Sequence, residues 1–119
     1  FNECALELLR IKDRPTAIFA SNDEMAAGVL SAAQELQIRI PEQLSVAGFD
    51  DAPIACSVWP KLTTIRQPLR AMGEESVELL VRYIRQINDE SHEKAQPNVL
   101  LDYELKVRQS TGICSSTKP

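Results

Sequence analysis

Apolar and polar positions follow two different periods along the chain, and together they predict alternating helices and strands. Residues 1–11 carry apolar side chains at helical spacing, which predicts a first helix. The runs TAIFA at 16–20 and LSVAGF at 44–49 are short, continuous and apolar, and turn-forming residues bound them, as is typical of buried parallel strands. Between these runs, apolar residues recur about every 3.6 positions from Met25 to Leu36, which predicts an amphipathic helix.

The second half of the chain changes its pattern several times. Residues 51–61 contain two prolines and no clear period, which predicts a loop, and LTTIR at 62–66 predicts a third short strand. Residues 69–87 have the pattern of a long amphipathic helix, and the polar stretch 88–97 predicts an exposed loop. Residues 99–111 alternate with a period of about two, which predicts one strand or two strands joined end to end.

Short connections between alternating helices and strands predict an α/β fold, with a parallel sheet flanked by helices. Three strong strands precede the long helix, which is fewer than an open α/β sheet usually has. The long helix therefore lacks enough sheet of its own to pack on. We expect the chain to be part of a larger fold.

Composition and charge narrow the functional class. The 119 residues, 44% hydrophobic and 25% charged, suit one globular domain of ordinary composition. A net charge of -4 gives no electrostatic reason to bind nucleic acid, so any contact with DNA would belong to another part of the protein. No apolar run approaches the roughly 18 residues needed to cross a membrane.

The cysteines and the single histidine do not form a recognisable metal or catalytic pattern. Cys4, Cys56 and Cys114 are widely spaced, and His92 lies in a polar stretch. We expect free thiols in a reducing cytoplasm. The sequence has no Ser-His or Cys-His arrangement and no glycine-rich phosphate loop, so we expect neither an enzyme nor a cofactor.

Polar residues follow both apolar strands at the points where the strands end. Asn22 and Asp23 come after the first strand, and Asp50 and Asp51 close the second. Because ligands of open α/β sheets bind at the carboxyl ends of the strands, Asn22 and Asp50 are expected to face one polar molecule. Asn22 or Asp23 could instead cap the following helix, which is compatible with binding. A metal shared by Asp50 and Asp51 is disfavoured, since adjacent side chains of an extended segment point to opposite faces.

Three blocks in order and at matching spacing carry a family resemblance. PTAIFASNDEMAAG at 15–28, IPEQLSVAGFDD at 40–51 and LTTIRQP at 62–68 resemble the C-terminal part of LacI/GalR-type transcriptional regulators, and LKVRQST at 105–111 resembles their closing strand. The resemblance implies part of a periplasmic-binding-protein-like effector domain. Such a domain has two α/β subdomains with a ligand cleft between them.

The resemblance also implies a division of the chain. Residues 1–67 would belong to the C-terminal subdomain, 68–102 to the N-terminal subdomain after a crossover, 103–111 to a return strand, and 112–119 to a tail. The strand near Val99 would then belong to the N-terminal subdomain. The rest of that subdomain, and a helix-turn-helix DNA-binding head, would lie in sequence absent here.

The matched motifs assign roles to individual residues. Asn22 matches the asparagine of the SND motif, which contacts effector hydroxyls, and Asp50 matches the first aspartate of the GFDD motif, which faces the effector. Asp51 would organise the loop that follows. Gln67 matches a position beside the crossover, where it either completes the polar ring around the ligand or acts as a hinge residue next to Pro68.

The resemblance also points to a homodimer. Ala26, Ala27, Leu30 and Gln34 match a helix that family members use for dimerisation, although alone it would be an ordinary amphipathic helix. Trp59 lies in a loop that tends to sit near the dimer interface, which favours packing in the interface or the core, and its alternative role is to stack on a sugar ring.

Two positions depart from the family pattern. Gln37 stands where a glycine usually ends the helix, and a glutamine in the left-handed conformation costs about 1 kcal/mol. Leu69 stands where relatives often present an aromatic side chain to the ligand, which suggests a different effector.

The function implied is a cytoplasmic module of a DNA-binding transcriptional regulator that binds a sugar or a similar polyol or nucleoside. A periplasmic sugar-binding protein of a transporter is the alternative with the same fold. A phospho-accepting receiver domain is an alternative of another class. A receiver would require its acid pair after the first strand, whereas the pair here follows the second and Lys61 lies in a loop.

Overall fold

The computed structural model describes residues 1–88 and 98–114, and in this part the chain alternates between helices and strands. In chain order the elements are α1 (Asn2–Arg10), β1 (Ala17–Phe19), α2 (Asp23–Glu35), β2 (Ser45–Asp50), α3 (Ile54–Ser57), β3 (Thr63–Arg66), α4 (Leu69–Asn88) and β4 (Glu104–Lys106). Within the described ranges, no helix combines the length and the apolar character needed to cross a membrane.

The chain divides into two compact units. Phe1–Arg66 and the chain from Glu104 onwards form the first unit, and Gln67–Tyr103 forms the second. The first unit contains all four strands and the helices α1, α2 and α3. The second unit contains α4. The assignment of these units to particular subdomains stays a prediction.

The four strands form one sheet in the order β1-β2-β3-β4. The pairs β1/β2 and β2/β3 are parallel, with Ile18 opposite Val46 and Gly48 opposite Thr64, and β3/β4 is antiparallel. The predicted parallel sheet is confirmed. Because the first three strands run in the same direction, their carboxyl ends lie at one edge of the sheet.

An apolar core joins this sheet to the helices. Leu44, Val46 and Leu62 are at most 1% exposed, and the inward side of α2 packs in the same cluster. Each such aliphatic side chain stabilises the fold by about 1.5–3 kcal/mol relative to an exposed position. From α1 and α2 the cluster takes Ala5, Leu9, Ala26, Val29, Leu30, Ala32 and Ala33. This burial fixes the first turn of α2 against the sheet.

The end of α2 has the backbone conformation in which a glycine is usual, and Gln37 takes the place of that glycine. Ile38 N donates to the Ala33 carbonyl (2.8 Å) and Gln37 N to the Gln34 carbonyl (3.1 Å), which is the Schellman arrangement. This arrangement places a left-handed residue just after the helix, and Gln37 occupies that position with φ 55°. The strained helix end expected from the sequence is therefore present.

Two predictions about local structure were wrong. The predicted loop 51–61 contains the four-residue helix α3, which packs the fully buried Ala55 into the core. Four residues are too few to show a helical period. Residues 98–103 form no strand, so the strand predicted near Val99 is not there. The predicted polar loop and the predicted tail fall largely on 89–97 and 115–119, outside the described residues.

The closing segment, residues 104–111, also contains less strand than its alternating pattern predicted, because β4 has only three residues. Beyond β4 the chain leaves the ladder and lies across the starts of β2 and β3. Val46 N donates to the Ser110 carbonyl (2.8 Å), and Ser110 N donates to the Lys61 carbonyl (3.0 Å). The buried Ser110 hydroxyl donates to the Val46 carbonyl (2.6 Å) and accepts from Thr63 N (2.8 Å). Two backbone hydrogen bonds and two bonds of the Ser110 hydroxyl thus take the place of regular strand pairing here.

In the second unit, α4 presents apolar side chains to solvent. Val77, Leu80, Ile84 and Ile87 are 56% to 66% exposed. An isolated amphipathic helix of this kind gains most of its stability by packing its apolar face.

The strain at Gln37 can be tested by Gln37→Gly. Glycine adopts positive φ at low cost, so we expect the free energy of unfolding in urea to rise by about 0.5–1 kcal/mol. Ser31→Gly, at an exposed position inside the same helix, is the control and should lower it by roughly 0.5 kcal/mol. Equal destabilisation by both changes would show that the conformation at Gln37 carries no strain.

Candidate ligand-binding site at the carboxyl ends of the strands

Asn22 immediately precedes α2 and lies three residues beyond the end of β1. Its extended backbone (φ -152°) and its Oδ1, which accepts a hydrogen bond from Met25 N at 2.8 Å, make it the N-cap of the helix. An N-cap of this kind stabilises a helix by about 1 kcal/mol. The capping role foreseen as an alternative is therefore present, and it uses the side-chain oxygen. The contact with a ligand stays a prediction.

Asp50 ends β2 at the same edge of the sheet, and its side chain is exposed. Its backbone has φ 109°, and that of Asp51 has φ 54°. Non-glycine residues rarely adopt such angles, since each costs about 1–3 kcal/mol and persists only where surrounding contacts impose it. The turn after β2 must therefore be held by specific bonds.

Two of these bonds converge on the buried side chain of Asp23. Oδ2 of Asp23 accepts a hydrogen bond from Ala52 N at 2.7 Å, and Oδ1 accepts one from the Thr64 hydroxyl at 2.6 Å. The Thr64 oxygen in turn accepts from Asp51 N at 3.3 Å. Asp23 is 1% exposed and Thr64 is fully buried. The start of α2, the strand β3 and the turn after β2 are thus joined by one set of hydrogen bonds.

Gly48 leaves the space that Asp23 occupies. A Cβ atom at this position would lie 2.3 Å from Asp23 Oδ1 and 2.9 Å from Leu62 Cδ2, closer than real Cβ contacts. The glycine of the GFDD block is therefore required by close approach. Its backbone angle does not require a glycine, since φ of Gly48 is not positive.

Asp51 turns away from solvent and pairs with two arginines. Its carboxylate is 4% exposed, and it accepts from Arg66 Nε at 2.6 Å and from Arg108 Nη2 at 2.5 Å. Burial favours a raised pKa, but the hydrogen bonds and charges of Arg108 and Arg66 outweigh it and hold the pKa of Asp51 below 3.8. Asp51 thus organises its loop, and Asp50 and Asp51 have different surroundings.

The other predicted residues occupy varied environments. Gln67 is half-buried at the start of the second unit, and its carbonyl accepts from Leu69 N at 2.9 Å. On α2, Ala26 and Leu30 are buried in the core of the chain itself, whereas Ala27 is half-buried and Gln34 is exposed. Ala26 and Leu30 therefore offer little surface to a partner.

Trp59 is 79% exposed, so it is not part of the core of this chain. An exposed tryptophan is a common anchor in protein interfaces, where its large ring is buried by the partner. Of the predicted interface residues, Gln34 and Trp59 present the most surface. The dimer itself stays a prediction.

Sequence reasoning missed three residues of this site. Thr64 is a buried hydroxyl within a short strand, and Arg66 and Arg108 supply the partners of Asp51. Two successive threonines in LTTIR were a signal of buried hydrogen bonding. For Arg108 the sequence contained no such signal, because Arg108 lies 57 residues from Asp51 in the chain.

A concave region lies at the opposite edge of the sheet. It is a groove of about 400 Å³ at the amino-terminal ends of the strands, and its lining includes Arg14, Thr16, Ser45 and Thr111. Ligands of open α/β sheets bind at the carboxyl ends, so this groove is the less favoured site. Among the described residues, no group of three or more histidine, cysteine or acidic side chains is placed to hold a metal ion.

Comparison with known proteins identifies the family. The model of the periplasmic binding protein-like domain matches residues 2–111. The HTH-type transcriptional repressor PurR of Vibrio atlanticus (strain LGP32) is 43% identical over 88 residues, covering 74% of this chain and 25% of that protein. The arabinose metabolism transcriptional repressor of Halalkalibacterium halodurans is 38% identical over 116 residues, covering 94% of this chain and 31% of that protein.

Solved structures agree with these matches. The LacI family transcriptional regulator from Arthrobacter sp. FB24, in complex with lactose, has a TM-score of 0.77 and 34% identity, and the match covers 93% of this chain and 41% of that chain. The chain therefore belongs to the periplasmic binding protein-like domain family. Within this family it corresponds to part of the effector-binding domain of LacI/PurR-type regulators, and it spans about a quarter to a third of the curated relatives' length.

The close approach of Gly48 and Asp23 predicts a severe effect of Gly48→Ala. The added methyl group would displace the Asp23 carboxyl and break its hydrogen bonds, so we expect a loss of about 2–4 kcal/mol in the free energy of unfolding. Gly73→Ala is the matched control, because a Cβ there meets no atom within 4 Å. In α4 this change should be neutral or stabilising by up to about 1 kcal/mol. Similar losses for both would contradict the packing argument.

The lowered pKa of Asp51 predicts a pH-dependent contribution to stability. The contribution is fully present above the unfolded pKa of about 3.8 and is lost as the pH falls towards the lower native pKa. Asp51→Asn should therefore lower the free energy of unfolding by about 2 kcal/mol at neutral pH. The difference from the native protein should shrink as the pH falls below about 4.

The control for Asp51 is Glu74→Gln, which removes an exposed ion pair with Arg70. We expect a change below about 0.5 kcal/mol, measured by denaturant titration across the same pH range. A difference for Asp51→Asn that stays constant down to low pH would contradict the assigned pairing.

Proposed function

We propose that this chain carries one half of an effector-binding site, with Asp50 and Asn22 as its ligand contacts. The observation that carries the proposal is the placement of Asp50. Asp50 is exposed at the carboxyl end of β2, and the turn that follows its unfavourable backbone angle is held by partly buried hydrogen bonds. Such strain is retained where a side chain must be aimed.

The chemistry of these groups favours a hydroxyl-rich ligand. A carboxylate accepts strong hydrogen bonds from hydroxyl groups, which suits Asp50 to a sugar diol. Because Oδ1 of Asn22 caps α2, its contact with a ligand would fall to the amide nitrogen, which donates. Gln67 is proposed as a third polar contact. A nucleoside, which also carries a ribose diol, is the second ligand class.

The relatives support a sugar as the effector. The Arthrobacter regulator was solved in complex with lactose, and the Halalkalibacterium protein is a repressor of arabinose metabolism. Both match more than nine-tenths of this chain. These ligands and pathways belong to those proteins, and they set the classes of compound worth testing here.

At the level of the whole protein, we propose a cytoplasmic transcriptional regulator that acts as a homodimer. Its DNA contacts would be made by a head outside this chain, and Gln34 and Trp59 would contribute to the dimer surface. A ligand that binds one arrangement of the domain better shifts the population towards it, which links effector binding to DNA affinity. The matches to transcriptional repressors favour this function over a transport protein or a receiver domain.

The proposal is tested by Asp50→Asn in the native protein. Calorimetric titration would use glucose, lactose, L-arabinose and guanosine. We expect at least one compound to bind, and Asp50→Asn to weaken it by about 10- to 100-fold, because a hydrogen bond to a charged group is lost. Asparagine tolerates positive φ, so the backbone should be retained.

Asp13→Asn supplies the matched control, since Asp13 is exposed and lies in a turn that precedes β1. Its affinity should equal that of the native protein. Unchanged affinity in Asp50→Asn, for a compound that the native protein binds, would remove Asp50 from the site.

A further inference from the structure

We propose that Thr64 is a positioning residue for the ligand contact of Asp50. Its buried hydroxyl would hold the turn at residues 50–52 so that the Asp50 carboxylate is aimed at the ligand. This inference rests on the proposed function, because it assumes that Asp50 meets the effector. It adds a residue that has no contact with the ligand itself.

The hydroxyl of Thr64 does two things at once. It donates to Asp23 Oδ1 at 2.6 Å, and its oxygen accepts from Asp51 N at 3.3 Å. Only a group that both donates and accepts can fill this place, and a hydroxyl is the smallest one available to a side chain. Thr64 therefore connects the carboxyl group of Asp23 to the backbone of the turn.

The position of Thr64 makes it a rigid support. It lies within β3 and pairs with Gly48 of β2, so it stands on the neighbouring strand just before the turn. Thr64 has no exposed surface, so its side chain is fixed by packing on all sides. Groups on strands hold a site more accurately than groups on loops.

Removal of the hydroxyl would release the turn without removing its other supports. Asp51 N would lose its buried partner, and Asp23 Oδ1 would lose its donor. The bond from Ala52 N to Asp23 and the two arginine contacts of Asp51 would remain. We therefore expect the fold to survive. The positive φ angles should relax, and the Asp50 carboxylate should no longer be held in one orientation.

A neighbouring residue offers a structural control. Thr63 is also buried, and its hydroxyl is hydrogen-bonded to Arg108 N at 2.9 Å and to the Thr111 hydroxyl at 2.8 Å. It belongs to the same strand but supports the closing segment, and its hydroxyl makes no hydrogen bond to residues 50–52. Its bonds to Arg108 are made to the backbone of that residue, whereas the guanidinium of Arg108 makes the contact with Asp51 and is also held by the Leu62 carbonyl. Thr63→Val should therefore affect stability without affecting the ligand.

The experiment compares Thr64→Val, Thr64→Ser and Thr63→Val in the native protein, each at a temperature where the variant is fully folded. Binding is measured calorimetrically with glucose, lactose, L-arabinose and guanosine, and amide hydrogen exchange is followed at Asp51 and Ala52. Thr64→Val should weaken binding by about tenfold and speed exchange at both amides. Thr64→Ser, which keeps the hydroxyl, and Thr63→Val should bind like the native protein.

The outcomes separate this inference from the proposed function. If Asp50→Asn weakens binding and Thr64→Val does not, or if Thr63→Val weakens it equally, the positioning role is overturned and the site stands. If Asp50→Asn binds normally, the site itself is wrong and this inference fails with it. Thr64→Ala is the second variant if Thr64→Val does not fold, and the same loss of affinity is expected.

Discussion

The carboxyl group of Asp23 is the point at which the strands and α2 are joined. It is almost fully buried, so both oxygens require partners, and it finds them in Ala52 N and the Thr64 hydroxyl. These partners come from separate parts of the chain, 29 and 41 residues away. A local group at the start of a helix therefore fixes the long-range arrangement of the strand ends.

Other features of the site follow from this arrangement. Gly48 is small because Asp23 lies against it, and the turn after β2 holds positive φ angles because Asp23 and Thr64 bind its amides. Asp51 then points inward to Arg66 and Arg108, which leaves Asp50 at the exposed end of the strand. The two adjacent aspartates thus have different surroundings: Asp51 supports the turn, and Asp50, which is exposed, is the proposed ligand contact.

Elements with strong periodicity could be predicted from the sequence, and elements set by distant contacts could not. The helices α1, α2 and α4 were recognised because their apolar positions repeat over enough residues, and the first three strands because they lie in short runs next to turn-forming residues. The four residues of α3 were too few to show a period. The alternating residues 99–111 are mostly not in a strand, so that pattern was misleading. The closing segment is held by the hydroxyls of Thr63 and Ser110, which periodicity does not report.

The same limit applies to the candidate site. Asn22 and Asp50 could be named as candidates because polar residues at strand ends are a local pattern, and the carboxyl ends of parallel strands share an edge. Thr64, Arg66 and Arg108 act across strands, so their roles depend on the register of the sheet. Ala26 and Leu30 are buried, as expected for the ordinary amphipathic helix that was the alternative to their role in a dimer.

The most direct test of the site is a crystal structure of the native protein soaked with the sugar or nucleoside that binds it best among glucose, lactose, L-arabinose and guanosine. We expect a ligand hydroxyl within hydrogen-bonding distance of the Asp50 carboxylate, with the turn at residues 50–52 unchanged. A ligand bound in the groove beside Arg14 and Thr111, with no contact to Asp50, would contradict the assignment of the site to the carboxyl ends of the strands.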